Sequence, residues 1–90
     1  MNKNIELLKE GHAGVMLLKD GTKTNYGVIS TFHDRVIYYN GKGLREIWDQ
    51  NLTGKEREKA EQLKCLDKEE LIDLGYVTIT LFEDILEVIN

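Results

Sequence analysis

The dipeptide Asp20-Gly21 constrains the fold more than any other feature, because it separates two runs rich in apolar and β-branched residues. Both positions tolerate the positive φ of a tight turn, so LKDGTK is typical of a β-hairpin. Residues 22–32 alternate with period two, as a strand does, setting Tyr26, Val28 and Ser30 against Gly27, Ile29 and Thr31. Glycine weakens a strand interior, so Gly27 predicts a sharp bend.

Further strands are expected on both sides of a helical segment. HDR predicts a turn and VIYYN a third strand, after which NGKG predicts another turn and residues 44–48 a fourth strand. Towards the C-terminus, YVTITLF alternates with period two and predicts a strand. The last stretch, EDILEVIN, fits either a strand or a short helix, and its periodicity does not decide between them.

Two helices are predicted between residues 53 and 75. Thr53 and Glu56 have the spacing of a capping box, and Asp67 with Glu70 forms a second, Asp-led version. Gly75 is placed to end the second helix. Leu66 and Leu71 flank the second cap as a hydrophobic staple, and near the N-terminus Asn4 predicts the cap of a short helix that ends at Gly11.

Composition limits the classes to which this chain can belong. Ninety residues suit a single domain, 1–90, with mainly β structure and α additions. No apolar run approaches the ~20 residues that span a bilayer, and the single cysteine, Cys65, cannot form an internal disulfide. We therefore expect a cytoplasmic protein with no membrane segment, metal or cofactor. The absence of proline and the many Lys, Asn, Ile and Glu residues fit a low-GC bacterium or its phage.

The segment from Ile5 to Asn40 resembles the first sequence motif of the Sm, LSm and Hfq proteins. It has a short N-terminal helix, a strand ending in LKDG, a strand with an internal glycine (NYGVISTF) and a polar turn before VIYY. The resemblance implies a small, strongly bent, five-stranded Sm-like or SH3-like β-barrel that assembles into rings. Such barrels have exposed strand edges that pair with other chains, so we expect a homo-oligomer, either a ring or a dimer.

The second motif of that family has two candidate positions. If REIWDQNL is the second motif, residues 1–52 form the barrel core, residues 53–75 a helical appendage and residues 76–90 a C-terminal strand and tail. This position of the second motif is slightly favoured, because NGKG readily forms a local hairpin. If YVTITLFEDILEVI is the second motif, residues 43–75 are a long loop between the third and fourth strands.

The groups that hold RNA in this family are altered here. The resemblance places His33 where the family has an aspartate and Arg35 near a stacking or apolar position. In the second motif the binding positions become Asp49-Gln50 or Glu83-Asp84, and carboxylates repel phosphate. Together with a net charge of −4, this predicts weak binding to long RNA or DNA.

A smaller nucleic-acid ligand suits the residues YYNGKGLREIW. Tyrosine and tryptophan rings stack on bases, and glycine N–H groups beside lysine and arginine attract anions. The leading hypothesis is a non-enzymatic module that binds a nucleotide or short oligonucleotide here and at the turn 33–35. A glycine turn with core aromatics explains the same pattern. The candidate ligand-binding residues are Tyr38, Tyr39, Lys42, Arg45, Trp48, His33 and Arg35.

The alternative hypothesis is an acidic interaction or inhibitor module, such as a phage accessory protein that blocks a basic host protein. Residues 75–90 carry three acidic and no basic side chains, whereas residues 1–52 carry six acidic and seven basic ones. The candidate partner-binding residues are Glu83, Asp84 and Glu87. No nucleophile, base and orienting group occur in a recognisable pattern, so enzymatic activity is not expected.

Overall fold

The computed structural model describes residues 6 to 89 and has an α+β architecture around one antiparallel sheet. The sheet has five strands in the order β4-β3-β2-β1-β5. Its strands are β1 (Ala13–Leu18), β2 (Lys23–Thr31), β3 (Arg35–Tyr39), β4 (Val77–Leu81) and β5 (Ile85–Ile89). The helical elements lie between β3 and β4: α1 (Gly41–Gly43), a π-helix (Leu44–Trp48), α2 (Gly54–Lys64) and α3 (Lys68–Asp73).

The predicted β1–β2 hairpin is confirmed. Gly21 has a φ of +90°, the conformation that glycine adopts without steric cost. The Asp20 carboxylate accepts a hydrogen bond of 2.8 Å from the backbone N–H of Thr22, and the Leu18 N–H donates to the Thr22 carbonyl at 2.8 Å. These local bonds fix the register of the hairpin, in which Met16 lies opposite Thr24.

The expectation of a fourth strand at residues 44–48 is wrong, because the chain is helical from Gly41 to Trp48. Asn40 begins this helical segment as its N-cap: its side-chain oxygen accepts from the Gly43 N–H at 3.1 Å, and its carbonyl accepts from the Leu44 N–H. Ile47 is buried in the resulting helix. The Asn-Gly pair that suggests a hairpin turn therefore caps a helix, which asparagine also favours.

The C-terminal strands complete the sheet instead. β4 pairs with β3, and β5 pairs with β1, with a 3-10 turn (Phe82–Asp84) between β4 and β5. Of the last stretch, EDILEVIN, residues 83 and 84 thus belong to the 3-10 turn, and Ile85–Ile89 form strand β5. Within residues 6 to 52 the chain forms only three of the five strands, so the strand pairing agrees with the reading that puts the last strands in 76–89.

The predicted helical pair is confirmed, but only one of the two predicted caps forms. The Asp67 side chain accepts from the Glu70 N–H at 2.9 Å, and Gly75 has a φ of +85° just after α3. Thr53 is the N-cap of α2, yet its side chain makes no capping hydrogen bond. The predicted cap residue at Asn4 lies outside the described residues; Glu6 and Leu7 have 3-10 conformation.

The sheet has a core on each face. Alternation along β3 sends Val36 and Tyr38 to one face and Ile37 to the other. The inner cluster consists of Leu8, Met16, Tyr26, Val28, Val36, Tyr38, Ile85 and Val88. The helix-facing cluster consists of Ile37, Ile47, Leu71, Tyr76 and Val77. The helices between β3 and β4 therefore cover the face opposite the inner cluster.

The sheet is not closed, since β4 and β5 are its two outer strands and do not pair with each other. The strand pairing shifts register twice: Ile29 of β2 is skipped between Val28 and Ser30 opposite β3, and Leu86 of β5 is skipped opposite Leu17 and Leu18 of β1. Within residues 6 to 89, no helix combines the length and apolar character that crossing a membrane requires.

Candidate functional site

Tyr38 lies in the inner cluster and has only 1% of its surface exposed. Its hydroxyl is 2.8 Å from the Thr80 hydroxyl, and burial raises the pKa of Tyr38 above its ordinary value. Its place in the core follows from the alternation of β3, because Val36 and Tyr38 share one face. Both faces of the Tyr38 ring are occupied by protein, so the structure does not bring this ring to a ligand.

Lys42 is already engaged within the fold. Its ammonium lies 4.7 Å from the centre of the Tyr76 ring and donates to the Leu74 carbonyl at 3.4 Å. A cation over an aromatic face is attracted by the ring's quadrupole, so Lys42 stabilises the packing of α1 against the start of β4. Arg45 is exposed and has no partner among residues 6 to 89.

The turn at residues 33–35 lies at the other end of β3. Arg35 forms a two-point ion pair with Asp34, at 3.0 Å and 2.9 Å, and the hydrogen bond with Arg35 lowers the pKa of Asp34. His33 is exposed beside them. From Arg35 to Tyr39 the strand extends about 13 Å, at roughly 3.3 Å per residue. The structure therefore separates this turn from the aromatic residues at the other end.

Tyr39 and Trp48 are the predicted site residues that the structure brings together. Their ring centres are 5.6 Å apart in an edge-to-face arrangement, and both side chains are half-buried. The Trp48 ring also lies directly on Gly27, where an added Cβ would be only 1.6 Å from ring atom Cζ3. The presence of glycine at position 27 thus has another explanation besides the predicted bend, because a side chain there would overlap the tryptophan ring.

A cleft of about 330 Å³ lies beside Trp48, between the π-helix and α2. We call this the Trp48 cleft. Its lining combines an apolar group and a polar group: Ile47, Trp48, Leu52 and Ala60 are apolar, and Asp49, Gln50, Arg57, Glu61 and Lys64 are polar. The sequence did not indicate Arg57 or Lys64 as site residues, because the alternating charges of α2 are typical of a solvated helix face. Their i, i+7 spacing is the signal that places both on one face.

The outer strands carry exposed apolar side chains. Ile79 on β4 is 42% exposed, and Leu86 and Ile89 on β5 are 56% and 42% exposed. The alternative partner-binding residues are beside them: Glu83, Asp84 and Glu87 are exposed and form no ion pair with any residue from 6 to 89. A second cleft of about 460 Å³ lies along β4 and the β1–β2 turn, lined by Leu18, Lys19, Asp20, Ile79, Thr80, Leu81 and Asp84.

Comparisons of this chain with protein-family models, curated proteins and solved structures find no match to any of them.

Proposed function

We propose that the protein is a non-enzymatic interaction module that assembles with copies of itself through the outer strands of its sheet. The observation that carries this proposal is the exposure of Ile79, Leu86 and Ile89 on β4 and β5, the two outer strands of the sheet. An unpaired strand edge with apolar side chains pairs readily with another strand, because pairing satisfies backbone hydrogen bonds and buries apolar surface.

Charge favours pairing of β4 in one copy with β5 in the next. β4 has no charged residue, whereas β5 contains Glu87 and follows directly after Glu83 and Asp84. Pairing of β5 with β5 would bring carboxylates from both copies together, which is repulsive. A contact between two different edges repeats from copy to copy. The copies close into a ring when the rotation that relates one copy to the next is a whole fraction of a full turn.

The cleft along β4 supports the same arrangement. It places exposed Ile79 beside Leu81 and Leu18, which form an apolar surface next to the β4 edge. Leu86, the most exposed of the three edge side chains, is the natural group to enter it from a second copy. Burying such a side chain contributes about 1.5–3 kcal/mol.

The strand order supports an Sm-like, strongly bent barrel as the framework of this assembly. An N-terminal segment packs through Leu8 into the inner cluster, and its His12 carbonyl accepts a 2.8 Å bond from the Val28 N–H. The 3-10 turn at Phe82–Asp84 takes the chain from one outer strand to the other. A five-stranded antiparallel sheet whose two outer strands are joined by a three-residue turn supports the Sm-like framework proposed here.

Light scattering on the purified protein tests the proposal. We expect a mass several times 10.4 kDa at micromolar concentration, and we expect Leu86→Lys and Ile79→Lys each to reduce it, because each replaces apolar surface in the contact with a charged group that must lose its hydration. Leu74→Lys is the matched control, since Leu74 is 49% exposed but lies after α3 and outside both outer strands. A clean 10.4 kDa species for the unaltered chain would overturn the proposal.

A basic partner protein is the alternative occupant of the β5 edge. Neutralising Glu83, Asp84 and Glu87 to their amides distinguishes the two occupants. Self-assembly should persist or strengthen in this triple variant, because carboxylates do not attract uncharged β4, whereas binding to a basic host protein should weaken. Loss of self-assembly in the triple variant would contradict the proposed pairing of β4 with β5.

Binding of a nucleotide or short oligonucleotide is the second candidate function. The observation that favours it is the Tyr39–Trp48 pair beside the cationic side chains of Arg57 and Lys64. Aromatic stacking contributes about 1–3 kcal/mol per base without demanding a particular sequence. The test is calorimetric titration with a mixture of nucleotides and with short oligonucleotides, and no heat of binding from either would remove this function.

A further inference from the structure

We propose that the Trp48 cleft binds one nucleoside monophosphate, with the base against Trp48 and the phosphate between Arg57 and Lys64. This inference rests on the second candidate function and specifies its site and its ligand. It concerns a different part of the molecule from the sheet edges, so the assembly proposal is independent of it.

The aromatic wall of the cleft is held rigidly in place. Trp48 lies on Gly27 with no space for even a methyl group between them, and Tyr39 contacts it edge to face. Its indole N–H has no hydrogen-bond partner among residues 6 to 89 and is not buried. A ring that is already immobilised loses little entropy when a flat ligand packs against it, and its N–H is available to a ligand acceptor.

The opposite wall is a helix face that is too polar for a packing role. Arg57, Ala60 and Lys64 line the cleft from successive turns of α2, and only Ala60 is buried. A helix that docks on a core normally presents a continuous apolar stripe at this spacing. α2 packs on the helix-facing cluster through Leu63, whereas its cleft-lining positions carry two cations, about 10 Å apart along the helix axis, a distance that two long side chains can bridge by converging on one phosphate.

The two cations are available to an anion. Arg57 forms no ion pair with any residue from 6 to 89. Lys64 is 3.5 Å from Glu61, but both side chains are about half exposed, and such surface pairs are worth only about 0–1 kcal/mol. A phosphate can therefore replace Glu61 as the partner of Lys64, because a charge-assisted bond to phosphate is stronger.

The remaining polar groups of the cleft suit the edge of a base. Gln50 has both amide donors and a carbonyl acceptor, and none of them is bonded within residues 6 to 89. Asp49 uses one carboxylate oxygen to accept the Asn51 N–H at 2.8 Å and retains the other. Nucleobases carry donors and acceptors side by side, which this pair of residues can match.

Size and charge select a mononucleotide over an oligonucleotide. A cleft of about 330 Å³ is at the lower end of the range for small-molecule sites, ~300–1,000 Å³, and fits one base and its sugar phosphate. Each further phosphate would approach Asp49, Glu61 or the rest of a chain whose net charge is −4, and would be repelled.

Trp48 is the only tryptophan in the chain, so its fluorescence reports on this cleft alone. The experiment titrates the full chain with adenosine and uridine 5′-monophosphates, with the matching nucleosides, with inorganic phosphate and with a hexanucleotide. We expect saturable quenching by the monophosphates, binding weaker by roughly ten- to hundredfold for the nucleosides, and no quenching by phosphate.

Variants on α2 assign the phosphate contacts. Arg57→Gln and Lys64→Gln should each weaken monophosphate binding by roughly tenfold to hundredfold, since each removes a charge-assisted bond. Lys55→Gln, with the same charge change on the same helix outside the cleft lining, should leave binding unchanged. Glu61→Gln should tighten it, because the phosphate no longer competes with a carboxylate.

Other outcomes separate this inference from the function on which it rests. If the hexanucleotide binds and the monophosphates do not, the inference fails and nucleic-acid binding stands. If the monophosphates bind equally well to Arg57→Gln, Lys64→Gln and Lys55→Gln, the site assignment fails. Unchanged fluorescence and no heat with every ligand would overturn both the inference and the second candidate function.

Discussion

Two glycines determine how closely the helical segment approaches the sheet. A Cβ on Gly27 would overlap the Trp48 ring, and a Cβ on Gly43 would be 2.2 Å from the Tyr76 carbonyl oxygen. Neither glycine has a positive φ, so what each position requires is space. The missing side chains let the π-helix lie directly on β2 and let Ile47 reach the helix-facing cluster.

Gly27→Ala should destabilise the fold by about 1–3 kcal/mol, because Trp48 must move or the strand must shift to admit the methyl group. The measurement is the free energy of unfolding in urea. Gly41→Ala is the control, since the nearest atom to its added Cβ is 4.0 Å away and alanine favours helix. Equal stability of the two variants would show that Trp48 does not press on Gly27.

The buried tyrosines predict a loss of stability in alkali. Burial raises the pKa of Tyr26, Tyr38 and Tyr39 above the ordinary value of 10.0. Above pH 10 the unfolded chain releases these protons while the folded chain retains them, so the stabilisation is complete below pH 10 and is lost as the pH rises through the native pKa values. The free energy of unfolding in urea, measured below and above pH 10, gives the size of this loss. In the Tyr39→Phe variant the free energy of unfolding should fall less steeply with pH. An equal free energy of unfolding on both sides of pH 10 would contradict this expectation.

At the scale of the element, the two longer helices begin in different ways. α3 has a side-chain cap from Asp67, while the Thr53 hydroxyl at the start of α2 caps nothing. α3 also buries Leu71 in the helix-facing cluster, whereas α2 buries only Ala60. Local and tertiary interactions therefore both stabilise α3, whereas α2 has no side-chain cap and is held by its packing on the π-helix and by Leu63 at the helix-facing cluster.

Asp67→Ala should lower the free energy of unfolding by about 1 kcal/mol, the usual cost of a lost N-cap. Thr53→Ala should change it by a few tenths of a kcal/mol, because there is no capping bond to lose. Thermal unfolding of both variants beside the unaltered chain provides the comparison. A larger effect at Thr53 than at Asp67 would contradict the caps described here.

Local patterns were sufficient to predict most elements. The Asp20-Gly21 turn, the alternation of β2 and β4 and the cap at Asp67 each depend on bonds within a few residues. The prediction of a strand at residues 44–48 is wrong because the preceding NGKG also fits a hairpin turn. What decides their conformation is contact with Gly27, about 20 residues earlier in the chain, and such contacts leave no periodic signal.

The candidate site was predictable only in part, for the same reason. Trp48 and Tyr39 are a pair that aromatic content suggested, and they meet in the structure. Tyr38 is predicted to bind the ligand, although it lies two residues after Val36 in β3 and therefore shares the core-facing side of the strand with it. The spacing of Arg57 and Lys64 puts both on one helix face, but only the packing of α2 beside the π-helix brings that face to Trp48.

At the scale of the whole molecule, the net charge and the position of the carboxylates are unfavourable to long polyanions. Glu83, Asp84 and Glu87 are all exposed at the C-terminal side of the sheet, and the chain carries a net charge of −4. A long polyanion would lie close to these carboxylates, whereas a single nucleotide in the Trp48 cleft would not, because none of the three carboxylates lines that cleft.

Poly-U and poly-A should therefore bind weakly at physiological salt, and the residual affinity should fall steeply as salt rises, because only released counterions favour it. Fluorescence anisotropy of labelled polymers measures both properties. Nucleoside monophosphate binding in the same buffer is the internal comparison. Sub-micromolar affinity for either polymer would show that an RNA-binding surface exists outside the Trp48 cleft.

The pairing of β5 with β1 has a consequence for the synthesis of the protein. β1 emerges from the ribosome early, but its second neighbour in the sheet is made about 70 residues later, roughly 4–14 s at usual translation rates. During that interval one edge of β1 and the inner surface around Met16 lack the cover of β5. Because the chain contains no proline, refolding has no slow prolyl isomerisation step. The pairing of β1 with β5, which are far apart in the sequence, should therefore limit the rate of refolding. A nascent chain stalled before Ile85 is accordingly the form of this protein most exposed to proteolysis and to chaperones.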